Sequence, residues 1–144
     1  MGDLEMLTRE QLQGVLIAVS KPVFAITKDS RYAVGYNVRL SVKISTTQDL
    51  ANTLQRTLHQ HGIVSHVGRS KNGHKQKGIL TVSGNGNLYK LLELIPMTLP
   101  TVGDWMKFKQ ALDIVNEGRH QTQEGLDMLF EIKGLIWVLL KWEM

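Results

Sequence analysis

Gly35-Tyr-Asn-Val-Arg-Leu-Ser-Val-Lys-Ile-Ser45 has the clearest periodicity in the chain. Val38, Leu40, Val42 and Ile44 interleave with Asn37, Arg39, Ser41, Lys43 and Ser45. A period of two belongs to a β-strand with one face in a core and the other outside it. The outer face carries a cation or a hydrogen-bonding group at every position. The stretch therefore predicts a sheet with one dry side and one polar, basic side.

Working towards the amino end, Thr8-Arg-Glu-Gln11 has the form of a capping box, a threonine N-cap with glutamine three residues on. It predicts a helix with Leu12, Val15, Leu16 and Val19 on its apolar face. Gly14 and Ala18, four apart, share a side on which a second helix could approach closely. Pro22 should end this helix, Val23-Phe-Ala-Ile26 should form a strand, and Lys28-Asp-Ser-Arg31 should turn into the strand quoted above.

Towards the carboxyl end the spacing predicts a helix over 47–60, with Gly62 beyond it. Two strands follow, at 63–69 and 78–83, joined by the basic loop Ser70-Lys-Asn-Gly-His-Lys-Gln-Lys77. Helices are expected over 85–95, from an Asp104 cap to 116, and from a Thr122 cap to 134. Pro96 and Pro100 bracket an extended linker between the first two. The order is helix, two strands, helix, two strands, then helices, which is an α+β arrangement with an antiparallel sheet.

The length, 144 residues, suits one domain or one half of a two-fold assembly. Apolar residues make up 42% of the chain, enough for a core and too many for a disordered segment. The longest apolar run, Leu135 to Leu140, is short of the ~18 residues that a membrane span needs. The start lacks the basic and apolar regions of a signal peptide. Without cysteine there is no disulfide, thiolate metal site or cysteine nucleophile. The net charge of +4 conceals an asymmetry. Between Lys21 and Lys77 ten basic residues face two acids, a local +8, while the remainder carries −4. That segment suits an anionic partner, nucleic acid first and an acidic protein or lipid surface second.

Three stretches together resemble the LAGLIDADG homing endonuclease and maturase family. Leu12-Gln-Gly-Val-Leu-Ile-Ala-Val19 has the leucine, glycine and alanine of its signature in matching places. Gly35 to Ser45 is similar to the family's second strand. Leu94-Ile-Pro-Met-Thr-Leu-Pro100, Trp105-Met-Lys-Phe-Lys109 and His120-Gln-Thr-Gln-Glu-Gly125 are similar to its proline turn, the helix after it and its closing element. The resemblance covers 8–134, leaving 135–144 as an apolar carboxyl-terminal extension. It implies a homing-endonuclease-like αββαββα fold with a sheet saddle that lies in a DNA major groove, and C-terminal helices behind it. It also implies that signature helices pair through Gly14 and Ala18, so that a chain with one signature works as a homodimer or beside a related partner.

One departure from the pattern is chemical. The eighth signature residue is an acid that helps hold the magnesium ions of strand cleavage; here it is Val19, and the sixth is Ile17. Ser20-Lys21-Pro22 replaces the usual glycine exit, and Phe24 is displaced. Hydrocarbon cannot ligate magnesium. The expectation is a scaffold that keeps its nucleic-acid surface without the cutting chemistry. No catalytic residue, metal ligand or cofactor is assigned, and magnesium enters only if the chain cuts DNA.

The expected binding residues are Lys28, Arg31, Asn37, Arg39, Ser41, Lys43, Ser45, Arg69, Lys71, His74, Lys75 and Lys77. Their cations would neutralise phosphates, and their hydroxyls and amide would hydrogen-bond on the sheet face. The partner would be structured RNA rather than DNA, in a ribonucleoprotein such as a ribosome or an intron-splicing complex. The family resemblance alone suggests an organelle matrix, the mitochondrial one. Trp137 and Trp142 in the greasy tail would dock on protein. Two rivals stand beside this expectation: an active endonuclease that cuts duplex DNA with magnesium, and a protein-interaction subunit whose basic face meets an acidic partner. The five histidines lack metal-ligand spacing, Glu124, Asp127 and Glu131 suit a solvated helix face, and Gly84 to Asn87 lacks the lysine of a phosphate loop.

Overall fold

The structure is a computed structural model that describes residues 6–69, 77–95 and 102–134, with the backbone alone at 69 and 102–104. Lys71, His74 and Lys75 of the basic loop, the Pro96–Pro100 linker, and Trp137 and Trp142 of the extension lie outside the described residues.

Helix α1 spans Arg9–Val19. Both halves of its capping box form: the Gln11 amide donates to the Thr8 hydroxyl at 3.2 Å, and the Thr8 amide donates to Gln11 Oε1 at 2.9 Å. Leu12 and Leu16 are fully buried. The helix stops before Pro22, because Ser20 is already extended and opens strand β1 (Ser20–Lys28). Pro22 thus lies inside a strand rather than at a helix end. Its ring disfavours a helical Lys21, and β1 is an edge strand, where a missing N–H is tolerated. Val19, expected on the apolar face, is instead 36% exposed.

Strand β2 covers Tyr36–Thr47 and helix α2 Gln48–Gln60, with the Thr47 hydroxyl capping Leu50. Strands β3 (His66–Arg69) and β4 (Lys77–Ser83) and helix α3 (Asn85–Leu94) follow. β3 is shorter than expected. The Val64 amide donates to Asn87 and the Ser65 carbonyl accepts from Gln55, so side chains satisfy backbone groups that a longer strand would pair in a ladder. Gly84 to Asn87 is the first turn of α3, with Gly84 as its cap. Helix α4 runs Val102–Asn116, beginning ahead of Asp104; a 3₁₀ turn at Arg119–Gln121 and helix α5 (Gln123–Lys133) complete the order. The four strands form one sheet in the order β1-β2-β4-β3, and β2–β4 and β4–β3 are antiparallel.

The chain divides into two compact units. The first comprises 1–22 and 41–98. In it Val42, Ile44, Leu80 and Val82 of the sheet and Ala51, Leu54 and Leu58 of α2 are buried. β4 comes so near α2 that a Cβ on Gly78 would stand 3.0 Å from Ala51 Cβ and 3.1 Å from Gln48 Cα, which is why a glycine occupies this strand.

The second unit comprises 23–40 and 99–144. Trp105 and Phe108 of α4 meet edge to face at 5.9 Å, and Phe130 of α5 meets Tyr36 in the same way at 5.3 Å. Lys133 donates to the Phe24 carbonyl and sits 5.2 Å from that ring, tying the last turn of α5 to β1. Thr122 caps α5 through Gly125, where a Cβ would fall 1.9 Å from the Arg119 carbonyl oxygen. Only glycine fits there.

Candidate nucleic-acid interface

Strand β2 separates its side chains as its period dictates. Leu40, Val42 and Ile44 are buried, while Arg39, Lys43 and Ser45 are exposed and Asn37 and Ser41 are half-buried. In the first unit the register extends this outer side into rows, since directly opposed residues share a face. Ser41 lies opposite Ser83, Lys43 opposite Thr81 and then His66, and Ser45 opposite Ile79. Lys77 pairs with Thr47 at the end of the ladder and is exposed. Arg69 pairs through its backbone with Gly78 at the end of β3. His66 and Thr81 thus join an outer row that the sequence reading missed. The alternation of Leu80 and Val82 with Thr81 and Ser83 was the available signal for one; His66 had none in so short a strand.

Neither Arg39 nor Lys43 makes an ion pair among the described residues. Arg31 differs. Its guanidinium grips Asp29 in the β1–β2 hairpin loop, with Nε 2.9 Å from Oδ1 and Nη2 2.7 Å from Oδ2, and its amide also donates to Oδ1. The side-chain hydrogen bonds of Arg31, reinforced by its backbone one, lower the Asp29 pKa from 3.8 to about 2. Lys28, the last residue of β1, is exposed. In the same unit a cavity of about 540 Å³ is lined by Tyr32, Asn37, Val38 and His120. Burial lowers the His120 pKa and its Nδ1 has no hydrogen-bond partner among the described residues, so the ring adds hydrogen bonding and no charge near neutral pH.

The small residues of α1 lie away from its buried leucines. Gly14 and Ala18 are exposed, a Cβ on Gly14 would meet nothing within 4 Å, and Ile17 beside them is 37% exposed. The chain's own packing does not require glycine at position 14. The end of this helix, where a magnesium ligand would be expected on the resemblance, presents hydrocarbon at Ile17 and Val19. The Ser20 hydroxyl turns back to donate to the Leu16 carbonyl. These residues do not fit a hard divalent cation, which wants anionic oxygen.

Comparison with solved structures bears on the fold. The homing endonuclease I-TnaI superposes with a TM-score of 0.73 at 20% identity over 89% of this chain and 86% of its own. The LAGLIDADG meganuclease I-CpaMI, solved on uncleaved DNA, gives 0.79 at 20% identity over 95% of this chain and 51% of its own. The meganuclease I-SmaMI, solved on uncleavable DNA, gives 0.76 at 20% identity over 90% and 44%. The chain thus spans about half the length of the latter two. No protein-family model and no curated protein matches the sequence. The fold is that of the LAGLIDADG homing endonucleases, as the three sequence stretches implied.

Proposed function

We propose that this chain is a non-catalytic nucleic-acid-binding protein on a LAGLIDADG scaffold, and that its ligand is structured RNA held in a ribonucleoprotein. The carrying observation is that β2 offers solvent two cations, Arg39 and Lys43, which make no ion pair among the described residues and are flanked by hydroxyl and amide groups. Such a strand can neutralise phosphates and hydrogen-bond to base edges or 2′-hydroxyls. The proteins solved on DNA share the fold and lend this reading support. The hydrocarbon end of α1 supports binding without strand cleavage, since this chain's helix brings no acid of its own to a scissile phosphate. The exposed Gly14–Ala18 side of α1 supports pairing with a second copy or a related chain.

Titration of purified protein with a structured RNA and with duplex DNA, at several salt concentrations, tests the proposal. The expected result is tighter binding to RNA, with a log–log salt slope of about −0.7 to −0.9 per phosphate neutralised. Magnesium-dependent nicking of duplex DNA would overturn the non-catalytic part in favour of an active endonuclease. Retention of neither polymer at low salt would favour a protein-docking subunit.

A further inference from the structure

The β1–β2 hairpin loop, the start of β2 and the 3₁₀ turn at Arg119–Gln121, all within the second unit, wall the cavity of about 540 Å³. That volume falls within the range of small-molecule sites. The loop is shaped by its own backbone. The Asp29 amide donates to the Gly35 carbonyl at 2.8 Å, the Gly35 amide to the Tyr32 carbonyl at 2.9 Å, and the Tyr32 amide to the Asp29 carbonyl at 3.3 Å. Gly35 completes the turn at φ 81°, in the left-handed region that favours glycine. Tyr32 is thereby held in the cavity wall while remaining 43% exposed.

The wall is of mixed chemistry. Tyr32, Val34 and Val38 contribute apolar surface, and Asn37 and Gln121 contribute side-chain amides, each able to donate and accept. The Arg31 guanidinium in the wall already has the Asp29 carboxylate at 2.7 Å, so it offers a phosphate less than Arg39 does. The fit is to a flat, uncharged ring with donors and acceptors on its rim. A nucleobase has that form, and stacking on an aromatic side chain with hydrogen bonds to the base edge is how proteins hold unstacked bases. The position agrees. Asn37 belongs both to the cavity wall and to the outer face of β2, and Arg39 stands two residues on, roughly 6.5 Å along the strand. β4 pairs with β2 only from Ser41 onward, so it does not cover the part of β2 that lines the cavity. A nucleotide whose phosphate meets Arg39 could turn its base into the cavity, whereas a base stacked and paired within a helix could not.

We infer that this cavity receives one unpaired base of the bound RNA, stacked on Tyr32 and hydrogen-bonded at its edge by Asn37 and Gln121. The inference rests on the RNA-binding reading of β2 and adds to it the class of ligand: an RNA with a loop or bulge rather than a continuous duplex.

The test is a set of low-salt binding titrations of the full chain with an RNA hairpin, with the same hairpin made abasic at each loop position in turn, and with a fully paired RNA duplex. Abasic substitution at one loop position should weaken binding by roughly five- to a hundredfold, the worth of a base stacked on an aromatic side chain. Tyr32→Leu should cost the intact hairpin about as much, cost that abasic hairpin less than about twofold, and leave the duplex unaffected. Tyr32→Phe should restore the parent affinity. No loss with Tyr32→Leu, or an equal loss on hairpin, abasic hairpins and duplex, would overturn the inference while leaving the binding strand standing. If the parent chain retained no hairpin, the RNA reading would fail, and adenosine and uridine would decide the cavity by themselves, followed at the side-chain amides of Asn37 and Gln121 in ¹H–¹⁵N spectra. Saturable shifts that are lost in Tyr32→Leu would keep a base site there. Their absence, or their survival in Tyr32→Leu, would overturn it.

Discussion

The basic segment contains two kinds of cation. On β2, Arg39 and Lys43 stand in solvent without an ion pair among the described residues, whereas in the hairpin loop just before it Arg31 is clamped on Asp29 by three side-chain hydrogen bonds and a backbone one. In a count of charges all three are equal. In the folded chain the first two make no ion pair among the described residues, Arg39 acting on Asp29 only through space, and the third is hydrogen-bonded to that anion. A local excess of +8 therefore overstates the charge available for binding, and the internal pairing decides which residues carry it.

The double reversal Arg39→Glu with Lys43→Glu should have the largest effect, a loss of affinity for RNA or DNA on the order of a thousandfold, if each cation makes one charge-assisted contact. Circular dichroism should report an unchanged fold, since both side chains point to water. Arg31→Gln in the same assay should cost less than about threefold, because it removes a charge already neutralised. Equal losses from the two variants would erase the distinction between free and committed cations.

The glycines make the same contrast in packing. Gly125→Ala forces a methyl group onto the Arg119 carbonyl and should destabilise the chain by about 3 kcal/mol or more in denaturant unfolding. Gly14→Ala meets nothing in its own chain and should stabilise α1 by about 0.5–1 kcal/mol. Gly14→Leu should fold as well as the parent yet shift a dimer towards monomer in sedimentation. An undisturbed oligomer would show that this side of α1 is not a pairing surface.

Most of the fold could be read because it rests on local chemistry. Thr8, Thr47 and Thr122 each cap the helix expected of them, and the alternation in β2 sets its two faces. Part of what escaped was fixed by distant partners. The residues before β3 look like strand, but Gln55 and Asn87, far away in sequence, take their backbone groups. Arg31 passed for a free cation because the grip of Asp29 depends on a loop conformation that composition does not encode.

Freeing Arg31 sharpens the comparison from the other side. Asp29→Asn removes the carboxylate and should raise nucleic-acid affinity by about two- to fivefold, one added phosphate contact partly offset by a looser hairpin. The salt slope should steepen by roughly one phosphate equivalent. No change in slope would place Arg31 out of reach of the ligand.

The smallest effect is the most direct check on the clamp. With its folded pKa at about 2, below the ordinary 3.8, the Asp29 carboxylate contributes to stability above about pH 4, and that contribution is lost as pH falls through about 2. A carbon-detected titration of the Asp29 carboxyl should therefore show a midpoint near the lower value. Arg31→Gln should return the midpoint towards 3.8, because the dominant cause of the shift is the hydrogen bond from that guanidinium. A midpoint already near 3.8 in the parent chain would mean that Arg31 spends its time in solvent. It would then belong with Arg39 and Lys43, and reversing all three would be the correct test of the binding strand.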